Sequence, residues 1–330
     1  MKHGGVSRAL AVCRDHRAKD DARAAVEVVV TVAFLVAAWA VAVAVPAEFV
    51  VVADVVVAAA LVRLFVLQHD AGHGALFSTR AKNDAFGTVA CIPLLVPYLE
   101  WRKSHAIHHK ISSQLDHRIF PDIYTVTTAE YALFPVWKKT AYRMFRHPLV
   151  LFGLVPAWFF FVSCRIKGSM CPTLPRGKNL ANVWLTTVAA VALYAGIGAV
   201  VGVDRMLWVF VPAQLIAGGA GFFLFYVQHQ MEYTFWAHDA TWSYERAALQ
   251  GSSFFDLPRP LAWLTGWIGF HHVHHLDPLV PCYRLRGAHD AHVDALADDG
   301  VVVPAVTLKD GLKATRLALW DEAQQRLVPF

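Results

Sequence analysis

Long stretches without a charged side chain constrain this chain more than any other feature. Residues 28–47, 179–203 and 206–228 contain no acidic or basic residue. At about 1.5 Å per residue, a helix of about 20 apolar residues crosses the roughly 30 Å of hydrocarbon in a bilayer. The stretches therefore predict helices that span a membrane, and they exclude a disordered, collagen-like or small disulfide-bonded protein.

The predicted spans pair into two hairpins. Residues 49–68 form a further span, because Asp54 and Arg63 lie near its ends, where a charge costs less than at the centre. Only Asp204 and Arg205 separate the last two apolar stretches. We therefore expect an all-α, multi-pass membrane bundle made of two transmembrane hairpins.

Two shorter apolar runs, at residues 85–99 and 149–164, fall below the length of about 18 residues expected of a spanning helix. We interpret them as interfacial or re-entrant segments. The domain organisation that follows is a leader at 1–25, a membrane domain at 26–286 and a C-terminal tail at 287–330.

The basic residues predict the orientation, because short loops rich in Lys and Arg stay in the cytoplasm. The leader carries six Lys and Arg residues, whereas the turn of the first hairpin carries none, and basic residues flank the 149–164 run on both sides. Both termini, residues 69–178 and residues 229–330 are therefore expected on the cytoplasmic face. There they would form a helical cap, and Leu312, Thr315, Leu319 and Glu322 continue helical spacing into the tail.

Charge and cysteine content exclude several functions. The net charge of +5 is explained by orientation in the membrane, so no nucleic-acid partner is expected. The five cysteines form no C-x-x-C pair, which argues against a thiolate zinc site, a redox dithiol or an iron–sulfur cluster.

Histidine is unusually frequent, with 17 residues, and nine of these predict metal ligation. The nine are His69 and His73 in HDAGH, His105, His108 and His109 in HAIHH, His229 after the last span, and His271, His274 and His275 in HHVHH. Histidines four apart project from one face of a helix and can reach one ion. His69 and His229 each follow a span directly, so we expect the set to converge at one depth on one face of the membrane.

The number of histidines indicates two metal ions, because zinc usually takes four ligands and iron about six. Imidazole suits zinc, copper, iron and nickel alike. The chain lacks an H-E-x-x-H motif and a serine or cysteine nucleophile motif, and a site below a lipid-embedded bundle favours chemistry on an acyl chain. Unactivated C–H bonds require oxygen activated by a redox metal, and iron is the natural choice.

Five motifs resemble those of the integral-membrane fatty acid desaturases, most closely the bacterial omega-6 (oleoyl-lipid) enzymes. They are HDAGHGALF, WRKSHAIHHKISSQLDHR, FYVQHQMEYTFW, AALQGSSFFDLP and GWIGFHHVHHLDPLVPCYRL, and they cover the chain from about His69 to Arg286. The resemblance implies that the same nine histidines hold two iron ions. It also implies oxygen-dependent insertion of a cis double bond into a lipid-linked acyl chain, oleoyl to linoleoyl.

Each turnover would need two electrons, so a separate donor is expected, either a ferredoxin or a b-type cytochrome that docks on the basic cytoplasmic loops. Three alternatives remain open. The same histidine scaffold supports hydroxylation or carotenoid ketolation, a zinc-dependent membrane hydrolase would use imidazole ligands too, and a metal transporter would place its ligands within the spans.

We call HDAGH, HAIHH and HHVHH the first, second and third boxes, and residues near them have predicted supporting roles. His272 occupies a variable position of the third box and is expected to form a hydrogen bond and not to bind metal. The remaining histidines are predicted at the surface: His3, His16, His117, His147, His238, His289 and His292. Candidate acids that orient ligands are Asp70, Glu100, Asp116, Glu232 and Asp277. Candidate aromatic residues that line an acyl tunnel are Phe77, Phe120, Tyr226, Phe235, Trp236 and Trp263.

Overall fold

The computed structural model describes residues 3–118, 122–171, 173, 176–298 and 300–330. Over these residues the chain is mostly helical, which confirms the predicted helical membrane bundle. The α-helices are α1 His3–Asp15, α2 Asp21–Ala44, α3 Val50–His73, α4 Arg80–Leu94, α5 Tyr98–Ile111, α6 Thr128–Leu133, α7 Val136–Arg146, α8 Val155–Phe161, α9 Arg176–Val201, α10 Val203–His229, α11 Tyr244–Gln250, α12 Arg259–Leu264, α13 His271–Leu276, α14 Cys282–Asp298 and α15 Leu308–Ala314. The strands are β1 Val126–Thr127, β2 Phe254–Asp256, β3 Ala305–Thr307, β4 Leu319–Asp321 and β5 Arg326–Val328.

Four helices of the described chain are long and apolar enough to cross a bilayer. They are Asp21–Ala44, Ala47–His73, Gly177–Val201 and Val203–His229, and they form the two predicted hairpins. Small side chains such as Ala38, Ala42 and Ala213 are buried in the core of the bundle, which lets the helices approach closely. The second and fourth spans run on to His73 and His229 without a break, so the spans themselves deliver the first histidines.

A buried arginine in the second span is neutralised within the protein. Arg63 is 1% exposed, and its Nη2 atom lies 2.5 Å from Oε2 of Glu27 on the neighbouring span. Its Nε donates to Thr31 Oγ1 at 3.0 Å, and its guanidinium lies 3.8 Å from the centroid of the Trp263 ring. Pairing and stacking of this kind reduce the cost of removing a charge from water.

The two shorter apolar runs form helices that pack beside the spans. The first lies largely in α4, which contacts α3 and α9. The second forms a π-helical turn at Val150–Leu154 followed by α8, and both contact α10. The helical segment Val150–Arg165 bends by 63° from α7, so that the pair forms either a broken span or a re-entrant element.

The described parts of residues 98–133 and 230–330 pack over the ends of α3 and α10, and we call them the cap. Helix α1 contacts α13 and α14 of the cap. Two small sheets add to it, one with the order β1-β4-β5 and one made of the parallel pair β2-β3. The helical spacing predicted through Leu312, Thr315, Leu319 and Glu322 is wrong, because α15 ends at Ala314. Leu319 instead pairs with Val126 and Val328 in the sheet, and this strand pairing overrides the local helical period.

Candidate metal centre

The local sequence of the first box explains how α3 presents its histidines. His69 and His73 lie in the last turns of α3, and Gly74 ends the helix in the left-handed conformation with a φ of 74°. Gly72 provides room for Trp101, because a β-carbon at Gly72 would lie 2.8 Å from that ring. Trp101 in turn stacks on His105, with ring centroids 4.8 Å apart and an angle of 12° between the planes. The glycines of HDAGHG therefore allow the first and second boxes to meet.

The structure brings all nine predicted histidines together in two groups. Within each group, the ligand nitrogens all lie within 4.8 Å of one another. The five-histidine cluster contains His69, His73, His105, His109 and His274. The four-histidine cluster contains His108, His229, His271 and His275. Both clusters draw on α5 and α13, so the two groups are adjacent.

The ring nitrogens approach one another at distances typical of ligands around one ion. In the five-histidine cluster the Nε2 atoms are separated by 2.9 Å for His69 and His105, 3.1 Å for His105 and His109, and 3.0 Å for His109 and His274. In the four-histidine cluster the separations are 2.9 Å for His229 and His271 and 3.3 Å for His108 and His275. Two nitrogens about 2.1 Å from one metal lie about 3.0 Å apart at a right angle and about 3.4 Å apart at a tetrahedral angle.

The proton positions leave lone pairs directed into the four-histidine cluster. His229 Nδ1 lies 2.9 Å from the carbonyl oxygen of Gly251, and a carbonyl only accepts, so Nδ1 carries the proton and Nε2 is bare. His108 Nδ1 lies 2.7 Å from Asp122 Oδ1, which favours the same tautomer. In the other cluster, the buried Nε2 of His73 has no partner within the described chain. Bare imidazole nitrogens are the donors that a metal requires.

Burial keeps these imidazoles neutral. It lowers the pKa well below its usual value for histidines of the cap, and the neighbouring imidazoles lower it further. The histidines concerned are His105, His109, His271, His274 and His275. Neutral imidazole is the form that binds metal, so these five donors fit metal ions without having to release protons.

One of the five predicted acids lies beside a cluster histidine, and the best-placed acid was missed. Asp70 Oδ1 lies 3.4 Å from His69 Nδ1, and its Oδ2 accepts a hydrogen bond from Cys282 N at 2.5 Å. The other four acids have different partners: Glu100 accepts from Met170 N, Asp116 pairs with His238, Glu232 with Arg326 and Asp277 with Arg17. The missed acid is Asp122, which lies 14 residues after His108 and contacts its Nδ1 atom. This spacing is not that of a helix or a strand, so the only sequence signal was that Asp122 lies in the loop after the second box.

An apolar cavity of about 150 Å³ leads from both clusters into the bundle of spans. It reaches His69 and His105 of one cluster and His271 of the other. Its aromatic lining consists of Phe65, Trp101, Phe159, Phe160, Phe222 and Phe225.

The five predicted tunnel residues that the structure describes do not belong to that lining. Phe77 packs against Phe86, and the Tyr226 hydroxyl donates to the carbonyl oxygen of Ala314. The rings of Phe235 and Trp263 lie under the guanidinium groups of Arg246 and Arg63, and Trp236 lines a separate small cavity with His108. Phe120 falls outside the described residues. The lining aromatic residues come mainly from α8 and α10, where apolar residues are so common that sequence alone did not distinguish those facing the cavity.

The remaining histidines divide between the surface and a further buried group. His147 is exposed, and His117 and His238 form ion pairs with Asp239 and Asp116 at the surface, as predicted. The surface prediction is wrong for His292, which is fully buried. His289 is half-buried, and its Nδ1 lies 3.0 Å from Nε2 of His272, which forms the hydrogen-bonding contact expected of it.

Comparison with known proteins agrees with this arrangement. The family model for fatty acid desaturase matches residues 46–306. A fatty acid desaturase of Bacillus subtilis (strain 168) is 41% identical over 278 residues, covering 84% of this chain and 76% of the relative. Two further relatives are named sn-1 oleoyl-lipid 12-desaturase, and each is 28% identical to this chain. The match to the protein from Synechocystis sp. covers 70% of this chain and 64% of the relative. The match to the protein from Anabaena variabilis covers 77% of this chain and 71% of the relative.

Proposed function

The chain belongs to the fatty acid desaturase family, and on that premise we propose that it uses oxygen to insert a cis double bond into the oleoyl chain of a membrane lipid. The product would be a linoleoyl chain. The observation that carries the proposal is the meeting of nine imidazoles at one end of an apolar cavity. The two 12-desaturase relatives support the position of the new double bond.

We propose that the five-histidine cluster holds one iron ion and the four-histidine cluster holds a second. Iron bound there supplies the oxygen activation that removal of hydrogen from an unactivated methylene requires. Nitrogen separations of 2.9–3.1 Å in the five-histidine cluster are nearer to the right-angled geometry of a six-coordinate ion than to the tetrahedral geometry of zinc. The five donors also exceed the usual four ligands of zinc.

The protein's own contribution is to orient ligands and to position the acyl chain. Asp122 and the Gly251 carbonyl hold His108 and His229 in the tautomer that directs Nε2 into the cluster. The cavity wall, with Phe65 and Trp101 next to the histidines, excludes water from the reacting carbons. Selection among chemically similar methylenes then depends on how far the chain can extend along the cavity.

The cavity runs along α3 from His69 back to Leu61, a distance of about 12 Å along the helix. It therefore extends among the spans, where Leu94 and Gln214 lie along it as well. We propose that the methyl end of the acyl chain occupies this part, with the lipid headgroup remaining towards the membrane interface. The depth of the cavity would then set which carbons lie beside the clusters.

We also propose that the cap and both termini face the cytoplasm, where a separate electron donor docks. The basic residues of the leader and of the loops beside the spans support this orientation. One relative, from Helianthus annuus, is named as using ferredoxin. An acidic donor such as a ferredoxin, or a b-type cytochrome, would suit these basic loops. Turnover with purified donor should fall as salt rises, and turnover insensitive to ionic strength would contradict electrostatic docking.

The test is expression in a host that makes only monounsaturated lipids, followed by fatty acid profiling. Linoleoyl chains should accumulate only in the presence of oxygen, and His108→Ala should abolish them. His147→Ala, at an exposed histidine away from both clusters, should leave the product unchanged. Hydroxylated chains would replace the proposal with a hydroxylase, and bound zinc with oxygen-independent activity would replace it with a hydrolase.

A further inference from the structure

A third group of histidines lies apart from the nine. His272, His289 and His292 have ligand nitrogens that all fall within 4.8 Å of one another. His272 and His292 are fully buried, and His289 is half-buried. Three imidazole nitrogens from two helices at this distance can all reach one metal ion.

The histidines of the short helix α13 face two different groups, the box clusters on one side and this third group on the other. Successive residues of a helix point about 100° apart, so His271 and His272 project in different directions. His271 faces the four-histidine cluster, with its Nε2 2.9 Å from that of His229. His272 faces α14 instead, with its Nε2 3.0 Å from Nδ1 of His289.

The tautomer of His292 leaves a lone pair directed away from its own helix. Its Nδ1 contacts the carbonyl oxygen of Ala288, one turn earlier in α14, and a carbonyl only accepts. Nδ1 therefore carries the proton, and Nε2 is bare. This buried Nε2 atom has no hydrogen-bond partner among the described residues, and an acceptor buried in that state is unfavourable unless a ligand satisfies it.

The surroundings hold the His289 ring in place. Phe254 stacks on it, with centroids 4.9 Å apart and 28° between the planes, and Phe270 lies 5.0 Å away. Phe270 directly precedes α13, and Phe254 pairs with it through a β-bridge, so the His289 ring is fixed relative to His272. The arrangement repeats the pattern of the four-histidine cluster, in which a backbone carbonyl fixes a ring and its other nitrogen faces neighbouring imidazoles.

We propose that His272, His289 and His292 form a third metal site, which takes a divalent cation with a preference for imidazole, namely zinc. Three nitrogen ligands and a water complete the four-coordinate shell that zinc prefers. The ion ties α13, which carries three of the nine box histidines, to α14. The site does not depend on the proposed function, because it shares no ligand with either of the two clusters.

The test counts zinc bound to the full-length protein purified in detergent. After equilibration with Zn²⁺ and removal of excess metal, elemental analysis should give one more metal ion per chain for the wild type than for the variant carrying both His289→Ala and His292→Ala. His147→Ala, at the exposed histidine outside all three groups, should bind as much as the wild type. Equal metal content in the wild type and the double variant would overturn the proposal.

A conservative variant covers the case in which the double variant does not fold. In His292→Asn the amide nitrogen takes the place of Nδ1 and still donates to the Ala288 carbonyl, but no atom remains at the position of Nε2. Zinc affinity at this site should fall at least about tenfold. Unchanged zinc binding by this variant would equally overturn the proposal. Neither the zinc count nor the zinc affinity depends on desaturation, which lipid profiling measures separately.

Discussion

The two histidine clusters differ in how many donors they have and in how firmly those donors are held. The five-histidine cluster has a surplus of nitrogens, but the Nδ1 atoms of His109 and His274 have no hydrogen-bond partner among the described residues. The four-histidine cluster has one donor fewer and only one such unpaired atom, His271 Nδ1, and Asp122 and the Gly251 carbonyl hold two of its other rings at 2.7 and 2.9 Å.

The difference separates two ways of securing a metal ion. A surplus of ligands tolerates the loss of one, whereas a smaller set depends on rings that are oriented in advance. We therefore expect the five-histidine cluster to be the more tolerant of a lost ligand and the four-histidine cluster to be the more sensitive to a lost hydrogen bond. Neighbouring residues on α5 allow a direct test.

The largest effect is expected from a matched pair on that helix. His108→Ala leaves three donors in its cluster, so the bound iron should fall to about one ion per chain and the product should disappear. His109→Ala leaves four donors in the other cluster, so iron should stay near two ions per chain while activity falls about tenfold or more. Iron analysis and lipid profiling measure both results. Equal iron loss in the two variants would remove the proposed distinction.

The next effect concerns the orienting acids. Asp122→Asn should lower metal affinity in the four-histidine cluster by about 10–100-fold, because the His108 ring loses its charged partner. Asp70→Asn should have a smaller effect, because the Asp70 oxygen lies 3.4 Å from His69 Nδ1 and the amide oxygen can still accept there. Competition with a chelator of known affinity would measure both. A larger loss for Asp70→Asn would reverse the expected order.

Residues of both clusters line the cavity, so filling it should alter catalysis without altering either cluster. A β-carbon at Gly221 would meet no atom within 4 Å, and this residue lines the cavity. Gly221→Leu should therefore lower activity on long acyl chains by about tenfold while iron content stays constant. Gly196→Leu, at an exposed glycine of α9 with equally open space, is the control. An equal loss in both variants would show that the cavity does not hold the chain.

The smallest effect tests what the clusters have in common. Burial lowers the pKa of histidines such as His105 and His275, so in metal-free protein the unfolded chain takes up more protons than the folded chain below pH about 6.5. The stability of the metal-free protein should therefore be greatest above that pH and fall as the pH drops from about 7 to about 5. Thermal unfolding in detergent, followed by tryptophan fluorescence, measures this trend. A midpoint that rises on acidification would contradict it.

The sequence predicted those features that repeat with a regular period. Long apolar runs predicted the four spans, since hydrocarbon thickness sets their length. The i, i+3 and i+4 spacings marked eight of the nine histidines that the fold brings together, and the position directly after a span marked His229. Asp122 and the Gly251 carbonyl escaped prediction, because they reach their histidines through irregular loops or from a backbone atom that carries no sequence signal.

Predictions made from individual residues were wrong where distant segments pack together. His292 was predicted at the surface because its helix is polar, but α1 and α13 pack against α14 and the residue is buried. The strands of the tail were missed for the same reason, since each is only three residues long, and β3 and β4 pair with strands far away in the sequence.

Helix α3 continues without a break from Val50, at the far end of its span, to His73 in the five-histidine cluster. Spanning helices tilt to match the thickness of the surrounding bilayer. Because α3 is one rod, a change in its tilt moves His69 and His73 against the ligands that α5 and α13 contribute. The packing and thickness of the lipid that surrounds the protein are thereby mechanically linked to the geometry of its histidine clusters.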